Sequence, residues 1–274
     1  MIPTDHNETT ERKLQQILAR ISYPVAVHMQ IYGSRGACVR FSHNAGLPFG
    51  AASIIKLPLL ICIGSLVSTG EFSWGSHVNL TVPAPHGTGL LEYLDIRDSM
   101  PLHDLCVLMM GVSDNMACNQ LLEVVGMDRA NALMRELGYN TTSFRRKMMD
   151  HETLAKGIDN TVTAEETADM LRRLHERTLV SRETSERVLE FLGMNQFHDL
   201  VAWPLPGSIT LWGKTGGMPG SLLDAELIRT TNGIAYSLCV FATGFERAVQ
   251  AKRLIAEVSE VVYTSVTVAQ KSDA

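Results

Sequence analysis

The chain has 274 residues, of which 45% are hydrophobic and 19% are charged, so it can bury a large core as one domain or as two interlocked domains. Its formal net charge of −5 at pH 7 provides no basic surface, which argues against nucleic acid as a partner. The apolar segment Leu57–Val67 contains Gly64 and Ser65 and is too short to span a bilayer, so we expect no membrane association.

Hydrophobic periodicity predicts strands towards both ends of the chain and helices in its middle. A helical pattern at Glu8–Ile21 precedes strand patterns at Pro24–Tyr32 and Ala37–Phe41, which are separated by a hairpin signal at Gly33–Gly36. The middle of the chain has helical patterns at Ile54–Val67, Leu102–Gly111, Asn115–Val125, Asp128–Leu137, Ala164–Arg177 and Glu183–Leu192. The last part has strand patterns at Ser208–Trp212, Asp224–Arg229 and Ile234–Thr243 and a closing helix at Ala248–Val262.

This order of elements predicts an α/β domain built from both ends of the chain, with an all-α domain inserted between them. We expect the α/β domain to be an antiparallel sheet flanked by helices, formed by residues 1–45 and 195–274. The all-α domain is expected at residues 46–194, with the active site between the two domains.

The N-terminus and the cysteines indicate the cellular compartment. Met1–Glu8 has no basic segment followed by an apolar one, so we expect a cytoplasmic protein, although a trimmed signal peptide would leave the same pattern. The cysteines are odd in number and include no Cys-x-x-Cys pair, which favours reduced thiols over disulfides. They are Cys38, Cys62, Cys106, Cys118 and Cys239.

The first motif that could be catalytic is Ser53-Ile-Ile-Lys56. If Ser53 opens a helix, Lys56 lies one turn further along on the same face, where a desolvated lysine can take the proton of the serine hydroxyl. The backbone N–H groups at such a helix start would supply part of an oxyanion hole. Taken alone, the pattern is more often an N-capping serine beside a surface lysine.

Two further motifs follow, roughly 60 and 100 residues later in turn. Ser113-Asp114-Asn115 lies between two helical patterns, where Asp and Asn commonly cap helices; in a catalytic interpretation Asp114 holds the turn. Lys214-Thr-Gly216 follows an apolar strand and could present an ammonium, a hydroxyl and a strand edge to an extended substrate, or could simply lead into a turn.

The order and spacing of the three motifs resemble those of the penicillin-recognising serine hydrolases, and class A β-lactamases in particular. The resemblance covers nearly the whole chain and includes the segment His86–Leu91 and Asn119. It implies a β-lactamase/transpeptidase-like fold and an acyl-enzyme intermediate. By this resemblance Ser53 is the nucleophile, Lys56 and Ser113 carry protons, and Lys214 completes the catalytic set. The resemblance also implies that Asn115, Lys214 and Thr215 bind the substrate. The backbone N–H groups of Ser53 and Gly217 would form the oxyanion hole.

The chain departs from this family pattern where class A β-lactamases have the Glu that activates the hydrolytic water. In those enzymes an Arg precedes that Glu by two residues, and counting from Arg146 puts Met148 at the position. Counting back from the next helix puts Lys147 there, and neither residue is a carboxylate. Asp150 and Glu152 are the candidate replacement bases, with solvated loop acids as the plainer interpretation.

His151 is a further titratable candidate for that role. A second departure concerns the Arg that class A enzymes usually carry on the strand after Lys-Thr-Gly. The matching stretch, Ser221–Ala225, contains no Arg, and Arg229 lies further along. The loss of that cation would weaken recognition of an anionic lactam.

Three functions remain open from the sequence. The first is a serine hydrolase, related to class A β-lactamases, that forms an acyl-enzyme at Ser53 from a small ester, amide or β-lactam. The second is a penicillin-binding, acyl-trapping module of the peptidase or sensor type. The third is an acyltransferase of secondary metabolism with the same Ser–Lys pair. We expect a monomer or weak oligomer without a cofactor, because no His pair with metal-ligand spacing and no phosphate-binding Gly loop is present.

Overall fold

A computed structural model describes residues 4–33, 36–81, 83, 86–95 and 98–268. Two of the sequence predictions fall partly outside these ranges: the tip of the hairpin at residues 34–35, and the start of the N-terminal segment at residues 1–3. The chain forms two compact units. The sheet unit comprises Met1–Phe49, Thr163–Arg172 and His198–Ala274, and the helical unit comprises Gly50–Val162 and Arg173–Phe197.

The secondary structure agrees with the predicted order of strands, helices and strands. The helices are α1 (Thr4–Leu18), α2 (Lys56–Ser68), α3 (Leu102–Gly111), α4 (Asn115–Val125), α5 (Met127–Glu136), α6 (His151–Ala155), α7 (Ala164–His175), α8 (Arg182–Leu192) and α9 (Ala248–Val268). The strands are β1 (Val25–Gly33), β2 (Gly36–His43), β3 (Phe49–Gly50), β4 (His77–Asn79), β5 (Ser99–Pro101), β6 (Thr161–Val162), β7 (Thr210–Met218), β8 (Ser221–Arg229) and β9 (Ala235–Thr243).

The sheet unit is built on a five-stranded sheet in the order β2-β1-β9-β8-β7, in which the neighbouring pairs are antiparallel. The amphipathic helices α1 and α9 bury their apolar faces against this sheet. Leu14 and Ile17 of α1, Val27 of β1, Leu238 of β9 and Ile255 of α9 belong to one buried cluster. β7 is an edge strand, so its only partner in the sheet is β8.

The helical unit surrounds α2, which is apolar on all sides and therefore suited to the centre of a helical domain. Leu57, Leu60 and Ile63 of this helix are fully buried. Helices α3, α4, α5 and α8 pack around it. Within the described part of the chain, no helix is long and apolar enough to cross a membrane. All five cysteines are free thiols, as predicted, and only Cys38 among them is exposed.

Two local expectations were wrong. The Lys-Thr-Gly motif was expected to follow the strand, but it lies inside β7, which pairs with β8 as far as Met218. Ser53 does not open an α-helix. It lies in a 3-10 turn, Ala52–Ile55, that precedes α2, and Ala52 has a positive φ of 42° that is incompatible with an α-helical start.

Gly64 allows α2 and α8 to approach closely, because a Cβ at this position would stand 2.6 Å from Cγ2 of Thr184. We expect Gly64→Ala to lower the free energy of unfolding by about 1–2 kcal/mol, the overpacking cost being partly offset by the better helix propensity of alanine. Urea unfolding measures the effect, with Ser65→Ala at the neighbouring, partly exposed position as the control. A Gly64→Ala variant as stable as the wild type would contradict this account of the packing.

Candidate active site

The side chain of Lys56 is the centre of the predicted acylation site in the helical unit. Its ammonium Nζ donates to Oγ of Ser53 at 3.1 Å and to Oδ1 of Asn115 at 2.9 Å. It also donates to Oγ of Ser113 at 3.0 Å and to the carbonyl oxygen of Ser113 at 2.6 Å. Since an ammonium has three protons, these four acceptors share them. The structure thus brings together four of the residues that the sequence proposed.

Burial of Lys56 changes its acidity. The residue has no exposed surface, and desolvation lowers the pKa of its ammonium to about 8 against an opposing effect of Cys118 and Asp114. A lysine with this pKa is partly neutral near pH 7, and only the neutral amine can accept a proton. Ser53 is partly exposed and lies within hydrogen-bond distance of it. This arrangement suits a serine nucleophile with a lysine base.

Strained backbone occurs at or next to both serines of the site. Ala52, directly before Ser53, and Ser113 have positive φ values of 42° and 56°. Non-glycine residues rarely adopt this conformation, and it persists where the surrounding structure enforces it, often at functional sites. In the case of Ser113, the turn lets the hydroxyl and the carbonyl of one residue face the same lysine.

Asp114 holds this turn, as the sequence predicted. Its Oδ1 caps α4 by accepting from the backbone N–H of Ala117 at 2.8 Å. Its Oδ2 accepts from the backbone N–H groups of Leu90 and Leu91 at 2.6 and 2.7 Å. The segment after His86 is therefore fastened to the start of α4. Gly89 is required at this contact, because a Cβ there would stand 2.3 Å from Oδ2 of Asp114.

The loop that precedes α6 is closed by a buried ion pair. Nε of Arg146 donates to Oδ1 of Asp159 at 2.7 Å, and the Arg146 side chain is 6% exposed. Oδ1 of Asn160 accepts from the backbone N–H groups of Arg145 and Arg146. Ion pairs with an arginine this well buried are costly to break, so the loop conformation is well determined.

Asn119 holds one of the two residues that counting along the sequence placed at the Glu position of class A enzymes. One turn beyond Asn115 on α4, its side chain accepts from the N–H of Met148 at 2.8 Å and donates to the Met148 carbonyl at 3.1 Å. Of the two candidates from sequence counting, Met148 is therefore the one held against this helix. Lys147 instead forms an exposed ion pair with Glu123.

Met149 lies beside the site. Its φ is 62°, and a Cβ on Gly87 would stand 3.2 Å from its sulfur and 3.1 Å from Nδ2 of Asn115. The thioether and the Asn115 amide thus both border Gly87.

The two candidate replacement bases, Asp150 and Glu152, lie at the start of α6. Asp150 is the N-cap of α6, and its carboxylate accepts from the N–H of Thr153 at 3.0 Å. Hydrogen bonding by Thr153 lowers the pKa of Asp150, which makes it a weaker base. Glu152 and His151 are exposed in the first turn of α6.

The third motif lies in the sheet unit. Lys214 is buried, and its Nζ donates to the carbonyl of Thr215 at 2.9 Å. Gly217 is opposite Leu222 in the β7–β8 ladder. Arg229 does not replace the missing β8 arginine, because it stands opposite Thr210 at the far end of β7 and stacks on the Trp212 ring at 5.1 Å. Across the described residues, no group of three or more His, Cys, Asp or Glu side chains could hold a metal ion.

Comparison with known proteins identifies the family of the chain. A model of the beta-lactamase enzyme family matches residues 9–266. The chain belongs to this family. The protein is therefore a β-lactamase-like serine hydrolase, with the penicillin-binding, transpeptidase-like fold that the motifs implied.

Solved structures with the same fold align with nearly the whole of this chain. A beta-lactamase from Sphaerobacter thermophilus is 24% identical with a TM-score of 0.82, covering 95% of this chain and 98% of the other. PBP-A is 20% identical with a TM-score of 0.84, covering 97% and 98%. A variant of the class A beta-lactamase of the last common ancestor of Gram-negative bacteria is 22% identical with a TM-score of 0.82, covering 93% and 97%. The predicted fold is confirmed by these matches.

The carboxylate of Asp114 gives a test of how the site is assembled. We expect Asp114→Asn to lower the free energy of unfolding by about 2–4 kcal/mol, because an amide places N–H donors where Leu90 and Leu91 also present donors. Chemical unfolding measures this loss. Asp128→Asn is the matched control, since Asp128 is an exposed aspartate in the first turn of α5 without a cap hydrogen bond. Equal losses in the two variants would show that Asp114 does not hold the segment.

Proposed function

We propose that this β-lactamase-like hydrolase forms an acyl-enzyme at Ser53 from a small ester, amide or β-lactam, with Lys56 as the general base. The observation that carries the proposal is the contact of one fully buried lysine with Ser53, Ser113 and Asn115. Desolvation lowers the pKa of this lysine to about 8, so the amine needed for proton transfer is available near neutral pH.

The reaction follows from these contacts. Neutral Nζ of Lys56 takes the proton of Ser53 while Oγ forms a bond to the carbonyl carbon of the substrate. The proton then passes to Oγ of Ser113, which lies 3.0 Å from Nζ, and on to the leaving nitrogen or oxygen as its bond to carbon breaks. We assign substrate binding to Asn115, Lys214 and Thr215, and the oxyanion hole to the backbone N–H groups of Ser53 and Gly217, on the strength of the motifs.

Release of the acyl group is the slow half of the proposed reaction. The residue held by Asn119 is Met148, whose thioether cannot activate water. We therefore expect a long-lived acyl-enzyme and weak or no turnover of common penicillins. This favours an acyl-trapping module as the second candidate function. A PBP-A mutant is known as an acyl-enzyme complex with penicillin G, which supports this alternative by analogy.

The first test is covalent labelling. We expect a fluorescent penicillin or a p-nitrophenyl acyl ester to add one acyl group to the wild type, detected by intact mass, and to add none to Ser53→Ala. Below pH 8 the labelling rate should rise about tenfold per pH unit, because the neutral fraction of Lys56 follows its pKa of about 8.

Two lysine variants test whether Lys56 is the general base. Lys56→Ala should remove the pH-dependent rise, whereas Lys147→Ala, at the exposed lysine paired with Glu123, should keep it. Stable adduct without turnover supports the acyl trap, and ester turnover without accumulated adduct supports the hydrolase. Full activity in Ser53→Ala would overturn the whole assignment.

The second test concerns deacylation. We expect Met148→Glu to speed release of the acyl group by about tenfold or more, because a carboxylate at this position can act as a general base, typically worth 10²–10⁴-fold when well placed. Met148→Gln is the matched control, with the same shape and no base. The measurement is the decay of the labelled species by intact mass.

The same assay decides whether another residue of the loop is the base. Asp150→Asn and Glu152→Gln slow deacylation only if one of them has taken that role. We expect unchanged decay for Asp150→Asn, because its carboxylate is engaged as the α6 cap. Equal decay rates for Met148→Glu and Met148→Gln would show that the position held by Asn119 does not control release.

A further inference from the structure

Strand β8 carries two acids in a position where buried strands usually carry apolar residues. Asp224 and Glu226 both have no exposed surface, and they stand two residues apart on the same face of the strand. In the antiparallel ladder, Asp224 is opposite Thr215 and Glu226 is opposite Gly213. The two acids therefore flank Ala225, the residue of β8 that pairs with Lys214 of β7.

The carboxylates have few partners. Oδ2 of Asp224 accepts from the backbone N–H of Val201 at 2.8 Å. Among the residues the structure describes, Oδ1 of Asp224 and both carboxylate oxygens of Glu226 have no hydrogen-bond donor. Nδ1 of His198 lies 3.5 Å from Oε1 of Glu226. Ionised carboxylates with so few donors are strongly disfavoured in a dry interior, so burial favours the protonated form of each acid.

The groups around the pair agree with this interpretation. Burial raises the pKa of both acids, and the charge of Glu226 raises that of Asp224 further. Lys214 from β7 and His198 from the segment before β7 act in the opposite direction but do not reverse the effect of burial.

The remaining titratable groups that face the pair come from β9. Cys239 and Tyr236 are buried there, and Glu226 raises the pKa of each in addition to the effect of burial. Tyr263 of α9 acts on Tyr236 in the same direction. None of these groups supplies a positive charge that would favour ionisation of the pair.

Glu226 contacts β7 directly. A Cβ on Gly213 would stand 2.1 Å from Oε2 of Glu226 and 2.3 Å from its Cδ, so the carboxyl group occupies the space of the absent side chain. β7 is an edge strand whose only sheet partner is β8. If Glu226 became ionised, it would draw water into this contact, and among the described strands no second neighbour keeps β7 in place.

We propose that Asp224 and Glu226 are positioning residues: as a protonated pair they hold β7, and with it Lys214, in the conformation that binds substrate. Loss of the proton loosens the strand and weakens substrate binding on the alkaline side. The inference rests on the proposed function, in which Lys214 binds substrate, but the state of the strand can be measured without any substrate.

The experiment compares the wild type with Asp224→Asn/Glu226→Gln, which keeps the shape of both side chains and cannot ionise. Hydrogen exchange of the β7 amides is measured by mass spectrometry between pH 6 and pH 10 and corrected for the intrinsic pH dependence of exchange. Labelling by a fluorescent penicillin is followed at the same pH values. Glu260→Gln, at an exposed acid of α9, is the control.

We expect the wild type and Glu260→Gln to lose β7 protection with rising pH while β1 stays protected. Their labelling rate should fall by about tenfold per pH unit above the pKa of the pair. The double variant should keep both protection and labelling on the alkaline side. At the acid end, all three proteins should label at rates within about twofold of one another.

The same pH dependence of β7 exchange in the double variant and the wild type would overturn the inference. If the double variant does not fold, Glu226→Gln alone decides the question, because Glu226 makes the contact with Gly213. Absence of labelling at every pH, together with a pH-dependent β7, would refute the proposed function and leave the strand-positioning role standing.

Discussion

The helical unit depends on the solvation of one buried amine. Lys56 lies fully inside the protein, where an unpartnered ammonium would be very unfavourable, and four oxygen atoms replace the water that it loses. Two of these oxygens belong to Ser113 alone, which requires that residue to adopt a left-handed backbone. Asp114 then fixes the turn by accepting three backbone N–H groups. The left-handed backbone of Ser113 and the cap formed by Asp114 thus both serve to surround the buried Lys56 ammonium with oxygen atoms.

The helix bounds could largely be predicted from the sequence because their signals are local. α3 and α4 begin and end at the predicted residues, since apolar periodicity and the Asp114 cap act within a few residues. The site residues of the helical unit were also predicted, because each motif contributes a residue type whose chemistry is specific. The 3-10 turn at Ser53 was not, because it arises from the backbone of Ala52, which has no sequence signature.

The burial of two acidic residues on β8 also could not be predicted from local sequence signals. Asp224 and Glu226 alternate with apolar residues on β8, a pattern that ordinarily indicates a solvated strand face, yet both are buried by the packing of segments distant in sequence. The position of Met149 is similarly a tertiary result. Gly87, which it borders, is about 60 residues away along the chain, and no short-range pattern relates the two residues.

The way in which Asn119 holds the loop has a consequence for how such proteins diverge. Both of its hydrogen bonds go to the backbone of Met148, so neither bond depends on the identity of the side chain at that residue. A substitution there can therefore leave both bonds in place. Under the proposed function, capture of an acyl group needs many residues acting together, whereas its release depends on the one side chain at this position. Exchange of that side chain would then be a short mutational route between acyl-binding proteins and turnover enzymes.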